Sequence, residues 1–359
     1  MSNFIKHAIN RVLDSVAART AARLTDHIKA VAEAELLRAT TATERLVAPL
    51  AKSLEQLDFK VADIDKKLDS TVADIDLKVA DVAKKLTAVL MASNRIASAD
   101  KGIQTLLSLA YRELLRLKLT LPAFQEIEFR CFSQNGEDGI LHYIFSLIGT
   151  TNRKCAELCA GHGMECNTTN LIVNHGWTGL LFDGSAENVR EGQNFFAECR
   201  DTFLRPPAFV HAWVTAENVN TLIRSNHFEG EIDLLSLDMD GIDYWIWKAI
   251  DCIRPRVVVL ECRPEWGPNR SVTIPYRSDF KAELKGSWSP YLGASLPAFV
   301  KLGREKGYRL VGSTRLLFNV FFMRAGVGEA VFPEIPAAQI TGSHENLEWV
   351  DPNDVWVEV

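Results

Sequence analysis

The fold is decided by Cys155-Ala-Glu-Leu-Cys-Ala-Gly-His-Gly163, which is followed by Gly179-Leu-Leu-Phe-Asp-Gly-Ser185. A short apolar run enters a turn with two glycines, and a second apolar run ends on Asp183, 20 residues after Gly163. This spacing is typical of a βαβ unit that holds a nucleoside, because glycines let the backbone approach the ligand and the acid accepts hydrogen bonds from ribose hydroxyls. The stretch therefore predicts a nucleoside cofactor without identifying it.

The glycine turn departs from the dinucleotide-binding pattern at two positions. It reads Glu157-x-Cys159-x-Gly161-x-Gly163, with a cysteine where a first glycine is usual. Cys166 stands where a third glycine would let the helix pack closely against the strand. The departure favours S-adenosylmethionine over NAD and leaves the backbone geometry of Cys159 as an open question.

The turn is also rich in residue types that bind metals. Cys155, Cys159, His162 and Cys166 would suit zinc chemically, although their spacing is not that of a standard knuckle. The alternative is that the cysteines are buried and behave as small apolar residues. The chain has seven cysteines, an odd number at irregular spacing, which predicts reduced thiols in a cytoplasmic protein.

The composition excludes several classes of protein. The 359 residues carry a formal net charge of -6 at pH 7, whereas a general nucleic-acid binder normally has a basic excess. No apolar run approaches the roughly 18 residues needed to span a bilayer. Charged and polar residues, among them Lys6, Arg11 and Asp14, interrupt the apolar core that a signal peptide would need.

The chain divides into two compositional regimes and a tail. Residues 1–115 contain one proline, Pro49, and one glycine, Gly102, and predict a helical, coiled-coil oligomerisation region. A linker around Leu121-Pro122 precedes residues 124–330, where short β-rich runs alternate with helical ones and predict a doubly wound α/β sheet. Residues 331–359 form a C-terminal extension.

The first regime has apolar residues at coiled-coil spacing, three or four residues apart. They are Leu57, Val61, Ile64, Leu68, Val72, Ile75, Val79, Val82, Leu86 and Val89. Residues Lys60–Leu68 recur with little change as Lys78–Leu86, 18 residues later. A narrow seam cannot bury itself alone, so we expect a parallel homo-oligomer, either a dimer or a trimer. The alternative is a helix that folds back at Pro49 into an antiparallel pair.

The N-terminal segment is amphipathic. Its apolar residues are Phe4, Ile5, Ile9, Val12, Leu13 and Val16, and several cations lie near them. Such a segment could make peripheral contact with an anionic membrane, which here would be the inner membrane face. The alternative is that it packs as one more helix of a bundle.

The second regime predicts seven strands. They are Lys154–Leu158, Gly179–Phe182, Phe209–Trp213, Asp233–Leu237, Val257–Glu261, Tyr308–Ser313 and Val320–Arg324. The last two are joined by a short connection and predict an antiparallel hairpin at the sheet edge. A terminal hairpin is typical of class I methyltransferases, whereas a dinucleotide dehydrogenase domain continues in parallel.

Acids follow the ends of two predicted strands. Asp238, Asp240 and Asp243 come after the fourth strand, and Glu261 ends the fifth. The carboxyl ends of parallel strands meet at one edge, so we expect Asp238, Asp240 and Glu261 to serve as catalytic groups or to hold a divalent cation such as Mg²⁺. Asp243 is expected to cap the next helix.

Polar residues elsewhere complete the candidate cofactor site. Ser133-Gln-Asn-Gly-Glu-Asp-Gly139 precedes an apolar helix and either caps it or closes over the cofactor. Gln134 and Glu137 are therefore candidate cofactor-binding residues, as are Gly184 and Ser185 after the second strand.

These motifs together resemble FkbM-type S-adenosylmethionine-dependent methyltransferases, over about Phe129–Arg324. The resemblance implies an O-methyltransferase that acts on a sugar, a glycan or a secondary metabolite. It also implies that Glu157, Gly161 and Gly163 surround the methionine portion of the donor and that Asp183 holds the ribose. The fold class expected is a Rossmann-like methyltransferase sheet with a terminal hairpin, preceded by a long α-helical coiled coil.

Three functions follow from this pattern. The leading one is methylation of a sugar or glycan hydroxyl, which would end chain growth in surface polysaccharide synthesis while the coil holds the enzyme near a glycosyltransferase. The alternatives are a non-catalytic coiled-coil assembly module with a nucleoside-binding domain, and an NAD-dependent sugar oxidoreductase. Residues Arg263–Ser295 carry side chains that suit a carbohydrate or ordinary packing, namely Trp266, Arg270, Tyr276, Trp288 and Tyr291.

Overall fold

The computed structural model describes residues 15–31, 47–282, 291–342, 350–351 and 353–359. The side chains of residues 47–51, 53–54, 83–84 and 86–99 lie outside the described set, as do Trp288 and the amphipathic segment before residue 15. Contacts divide the chain into two compact units, Met1–Ser98 and Ala99–Val359. In the described part of the chain, no helix has the length and apolarity needed to cross a bilayer.

The first unit is helical where it is described. Helix α1 covers residues 15–31, and helix α2 runs from Val47 to Arg116 over 70 residues. Pro49 lies in the first turn of α2, where the missing N–H breaks no hydrogen bond of the helix. Exposed ion pairs at i,i+4 spacing, such as Lys67 Nζ to Asp63 Oδ2 at 2.7 Å, support the helix by a few tenths of a kcal/mol each.

The second unit begins inside α2 rather than at residue 115, where the change in composition suggested a boundary. Gln104 and Tyr111 of α2 are buried in the second unit. Gln104 exchanges side-chain hydrogen bonds of 3.0 Å with Asn170. Helical periodicity continues unbroken across residue 99, so the sequence pattern does not show where the helix starts to pack against the sheet.

A seven-stranded sheet with order β3-β2-β1-β4-β5-β8-β7 forms the centre of the second unit. Its strands are β1 (Lys154–Leu158), β2 (Thr178–Asp183), β3 (Ala208–His211), β4 (Gly230–Leu237), β5 (Ile253–Glu261), β7 (Tyr308–Ser313) and β8 (Asn319–Arg324). Strands β1 to β5 are parallel, β8 is antiparallel to β5, and β7 is antiparallel to β8. The mixed α/β, Rossmann-like sheet expected from the sequence is therefore present.

Helices cover both faces of this sheet and enclose two apolar clusters. They are α3 (Glu137–Ile148), α4 (Thr169–His175), α5 (Ala186–Glu198), α6 (Val219–Ser225), α7 (Asp243–Ala249), α8 (Leu296–Glu305) and α9 (Ala338–Thr341). Strands β1, β4 and β5 are buried along almost their whole length, which explains their continuous runs of Val, Leu and Ile.

The C-terminal extension packs against the sheet unit. Strand β6 (Val272–Thr273) pairs antiparallel with β9 (Val357–Glu358). The Arg309 guanidinium donates to the Phe332 carbonyl, and the Ile335 N–H donates to the Leu310 carbonyl at 3.0 Å. The extension is therefore part of the second unit.

A buried polar network joins α2, α3 and α4. Ser146 Oγ donates to the His142 carbonyl at 2.6 Å, so Ser108 Oγ donates to Ser146 Oγ at 2.7 Å and accepts from His142 Nε2 at 3.1 Å. His175 Nε2 donates to Gln104 Oε1 at 2.6 Å. Burial lowers the pKa of His142 and of His175 to about 4. Both imidazoles are neutral at pH 7.

We predict that these two histidines reduce stability in acid. Their folded pKa values lie below the unfolded value of about 6.5, so protonation favours the unfolded chain. The free energy of unfolding should fall as pH decreases from 6.5 to 4, by roughly 2 kcal/mol for each imidazole. Urea denaturation across this range, with His142→Gln/His175→Gln as the comparison, measures the effect.

The comparison with the double variant is needed because buried acids with raised pKa values act in the opposite direction. Burial raises the pKa of Asp138 and of Asp243 to about 6, so their protonation in acid favours the folded state. A double variant whose pH profile has the same slope as the wild type between pH 6.5 and 4 would contradict the prediction.

Candidate functional site

A cavity of about 280 Å³ lies at the carboxyl ends of β1, β4 and β5. The sequence-predicted residues that line it are Gln134, Glu157, Gly161, Asp238, Asp240 and Glu261. It is also lined by residues that were not placed in the cofactor site from the sequence, namely Cys159, His162, Glu165, Cys166, Asn167, Asn188 and Asn319. Five further sequence-predicted residues do not line the cavity, namely Glu137, Gly163, Asp183, Gly184 and Ser185.

The two glycines of the turn serve different purposes. Gly161 has φ +54°, and a Cβ built on it has no heavy atom within 4 Å, so its backbone faces open space in the cavity. Gly163 has φ +72°, and a Cβ there would lie 2.9 Å from the Phe196 ring. Gly161 therefore suits close approach of a ligand, whereas Gly163 lets the turn pack on the core.

Cys159 takes the conformation that a glycine would adopt at its position. Its φ is +62°, in the left-handed region that costs an L-residue about 1–2 kcal/mol. Burial raises the pKa of its thiol, and the nearby carboxylates of Asp243 and Asp183 raise it further. The thiol is therefore protonated at neutral pH and is not a nucleophile.

We predict that Cys159→Gly is more stable than Cys159→Ala by about 0.5–1 kcal/mol. Both variants lose the thiol, so the difference between them reports on the backbone. Glycine relieves the strain of the left-handed conformation, and this gain exceeds the additional chain entropy that glycine loses on folding. Urea denaturation of the pair measures this difference. Equal stabilities would show that residue 159 is not held in the left-handed region.

Glu157 uses its carboxylate to hold the segment after the turn. Oε1 accepts from the Asn167 N–H at 2.9 Å and from Ser236 Oγ at 3.3 Å. Oε2 accepts from the Thr168 N–H at 2.8 Å and from Thr168 Oγ1 at 2.6 Å. The side chain borders the cavity with both oxygens already occupied, so it sets the shape of the wall.

Asp183 ends β2 and holds two turns together. Its Oδ2 accepts from the Gly161 N–H at 2.9 Å, and its Oδ1 accepts from the Ser185 N–H at 2.8 Å and from Asn188 Nδ2 at 3.1 Å. A carboxylate oxygen has two lone pairs, so Oδ2 retains capacity for a ligand hydroxyl. Ser185 caps α5 by accepting from the Asn188 N–H, and Gly184 lies against the Trp213 ring.

The segment before α3 is ordered by its own acids. Asp138 Oδ2 accepts from three successive N–H groups, those of Cys131, Phe132 and Ser133, at 2.6–2.8 Å. Glu137 is fully buried and accepts from the Asn135 N–H at 2.8 Å and from Asn319 Nδ2 at 2.7 Å. Glu137 thus holds Asn135 and Asn319 in place near the cavity, and Gln134 is one of the residues that line it.

Three carboxylates converge at the far side of the cavity. One oxygen from each of Asp238, Asp240 and Glu261 lies within 4.8 Å of the others. Asp240 is brought there by a left-handed backbone, with φ +49°. Glu261 Oε2 is buried and has no hydrogen-bond partner among the described residues.

This acid cluster resists full ionisation. Burial, together with the charges of Asp243 and Asp240, raises the pKa of Asp238 to about 8. Burial raises the pKa of Glu261 strongly, with Asp238 as the next contribution. Such a cluster holds protons at neutral pH or takes a cation.

Asp243 holds the turn between β4 and α7 and is not one of the three acids of the cluster. Its carboxylate accepts from the Met239 N–H at 2.8 Å and from the Gly241 N–H at 3.2 Å. Asp243 is the first residue of α7, so it fixes the turn into that helix, close to the capping role expected of it.

The cysteine-rich set of the turn does not form a zinc site. Among the described residues, the His, Cys, Asp and Glu groups close enough to share a metal are the three acids above. Burial raises the pKa of Cys155 and of Cys166 well above the ordinary value, and Cys166 Sγ lies 2.9 Å from Thr169 Oγ1. These thiols behave as small buried groups.

The aromatic segment after β5 is engaged in packing. Trp266 is buried against Trp356 at 4.8 Å between ring centroids, and Arg270 lies over its ring. Tyr276 Oη donates to Glu217 Oε2 at 2.6 Å, and Tyr291 Oη donates to the Val355 carbonyl at 2.8 Å. Ordinary packing accounts for these side chains.

No protein-family model matches this chain, and no curated protein matches it. Similar solved structures include magnesium protoporphyrin IX methyltransferase from Synechocystis PCC 6803 with bound SAM, at 13% identity, over 48% of this chain and 69% of that chain, with a TM-score of 0.30. An S-adenosylmethionine-dependent methyltransferase from Clostridium acetobutylicum ATCC 824 is 12% identical over 62% of this chain and 99% of that chain, with a TM-score of 0.34. The N-terminal domain of EvdMO1 with SAH bound is 14% identical over 53% and 81%, with a TM-score of 0.37. Similarity of this size does not establish what the chain does.

Proposed function

We propose that the chain is an S-adenosylmethionine-dependent methyltransferase that acts on a hydroxyl group. The observation that carries the proposal is one cavity with the open glycine turn of Gly161 on one side and the acid cluster on the other. The motif resemblance to FkbM-type enzymes supports the same function.

The residues present suit the donor. The space over Gly161 is a cradle that a Cβ would fill, and Asp183 Oδ2 keeps a lone pair for a ribose hydroxyl. S-adenosylmethionine supplies an electrophilic methyl group when bound. The polar lining, with Gln134 and Asn188 among it, would orient the donor, and positioning is the main contribution of the protein to such a transfer.

The acid cluster would manage the proton of the acceptor hydroxyl. Asp238 is the candidate base, because its raised pKa makes its carboxylate a better proton acceptor near neutral pH than an ordinary aspartate. The same three acids fit a divalent cation: their oxygens are hard ligands, and Glu261 Oε2 is buried without a donor among the described residues. Asp238, Asp240 and Glu261 would then hold Mg²⁺, which would acidify the hydroxyl.

We predict that Asp238→Asn abolishes most of the methyl transfer without preventing donor binding. Removal of a general base typically lowers the rate about 10²-fold or more. Labelled donor incubated with fractionated cell glycans measures transfer, and calorimetry with S-adenosylhomocysteine measures binding. Asp251→Asn, an exposed carboxylate that pairs with Arg224, is the matched control and should act as the wild type does.

Three outcomes distinguish the competing interpretations. Loss of transfer on chelation with EDTA, restored by Mg²⁺, assigns the cluster to a cation, whereas unchanged transfer assigns it to proton removal alone. Nicotinamide cofactor in the purified protein, identified by mass spectrometry, would replace the proposal with a sugar oxidoreductase. No binding of either cofactor would leave a coiled-coil assembly module.

We propose a sugar or glycan as the acceptor and a cytoplasmic location. The acceptor follows from the motif resemblance, and the location accords with seven free cysteine thiols. Methylation of a chain end would stop elongation of a surface polysaccharide, with a glycosyltransferase as the partner held nearby. The glycan fraction that takes up label identifies the acceptor.

We also propose that the seam of α2 binds a second or third copy of the chain. Leu57, Ile64, Leu68 and Val82 are 40–64% exposed in the single chain. They lie on one stripe at coiled-coil spacing, flanked by the charged residues of the i,i+4 pairs. Such a stripe is stable in water when identical helices cover it.

We predict that Ile64→Asp dissociates the oligomer. A buried, unpaired carboxylate in the seam is strongly unfavourable, whereas Ala62→Asp adds the same charge away from the seam. Light scattering should give two or three times the 40.1 kDa of the chain for the wild type and for Ala62→Asp, and 40.1 kDa for Ile64→Asp. A wild-type mass of 40.1 kDa would overturn the proposal.

A further inference from the structure

A second cavity, of about 400 Å³, lies at the opposite edge of the sheet from the first. Thr150 and Arg153, which precede β1, form part of its rim. One wall is the face of α2 that carries Lys101, Ser108 and Arg112, at seven- and four-residue intervals. Its other walls come from α3 and α4 and include the polar network of His142 and His175 described above.

The lining of this cavity is cationic. Lys101, Arg112 and Arg153 contribute three positive charges, and no aspartate or glutamate lines it among the described residues. Arg112 uses Nε to donate to the Ser146 carbonyl at 3.1 Å, which leaves its terminal nitrogens for a ligand. The Arg153 side chain has no partner among the described residues, and Lys101 Nζ lies 3.5 Å from Asp201 Oδ1.

The charges of Lys101, Arg112 and Arg153 all act on the two histidines of the second cavity. Arg112 lowers the pKa of His142, after burial as the main cause, and Lys101 and Arg153 lower that of His175, after burial and His142. Because both imidazoles are neutral, the positive potential comes from the lysine and the arginines. Near the cations, the rings of Phe145 and Trp177 meet edge to face, 4.7 Å apart, and give the cavity an apolar side.

We propose that this cavity binds a phosphate group, carried by a soluble phosphate ester or by an anionic lipid headgroup. Two guanidinium groups and an ammonium group match a doubly charged oxyanion, since arginine donates two parallel hydrogen bonds to phosphate. The volume exceeds that of a bare ion, and the Phe145–Trp177 side accommodates the apolar or sugar portion attached to the phosphate.

The test is binding of inorganic phosphate to the full-length protein, without methyl donor. Calorimetry should detect binding, and the histidine side-chain NMR signals of His142 and His175 should shift with it. Each of Arg112→Gln and Arg153→Gln should weaken binding about tenfold or more, because each removes charge-assisted hydrogen bonds to the phosphate. Arg153→Gln removes a side chain without partners, so it tests the site even if Arg112→Gln disturbs α3.

Arg116→Gln is the matched control. Arg116 lies on the same helix, is exposed and is paired with Glu113, so its loss should leave the affinity for phosphate unchanged. Vesicles of phosphatidylcholine with phosphatidic acid distinguish the sources. Vesicle binding that Arg153→Gln abolishes identifies the lipid headgroup, and phosphate binding without vesicle binding identifies the soluble ester.

Two results would overturn the proposal. One is the absence of both phosphate binding and any shift of the two histidine signals. The other is phosphate binding whose affinity is the same in Arg153→Gln as in Arg116→Gln. Since no methyl donor is present, either result is independent of whether the chain transfers methyl groups.

Discussion

Buried carboxylates have to collect hydrogen-bond donors, and this requirement shapes the loops of the sheet unit. Asp138, Glu157 and Asp183 each bind backbone N–H groups of a neighbouring loop. At the opposite edge, Asp233 accepts from three successive N–H groups before β1 and from the Arg256 guanidinium. Burial alone would raise the pKa of Asp233, yet these donors hold it below its ordinary value. The acids therefore fix the loops that a ligand would meet.

The need of buried carboxylates for hydrogen-bond donors also separates the acids that hold the structure from those that can react. Asp238 and Glu261 end parallel neighbours, and Glu261 Oε2 lacks a donor among the described residues although it is buried. Their pKa values rise, while that of Asp233, which is fully buried, falls. The Arg256 guanidinium, together with the backbone donors, keeps the Asp233 carboxylate ionised. Asp238 and Glu261 are the acids that can exchange a proton or hold a cation, and they border the cavity.

Sequence patterns predicted the part of this arrangement that depends on local order. Apolar runs located the strands to within a few residues, and the parallel sheet then required Asp238 and Glu261 to meet. The patterns could not distinguish the roles of Glu157 and Glu261, because both end or nearly end a strand. Donors from Asn167 and Thr168 satisfy one and not the other, and their approach depends on tertiary packing. Likewise, Asn319 reaches the cavity only through the antiparallel pairing of β8 with β5.

Helix α3 connects the surroundings of both cavities. Its first residue, Glu137, holds Asn319 at the carboxyl edge, and its last turns supply His142 and Ser146 to the cationic cavity. Ten of its 12 residues are buried, and hydrogen bonds fix both ends. A change at one cavity passes to another only through an element with two discrete arrangements. A helix pinned at both ends and packed along its length has one such arrangement, so α3 provides no moving part that would link the two cavities.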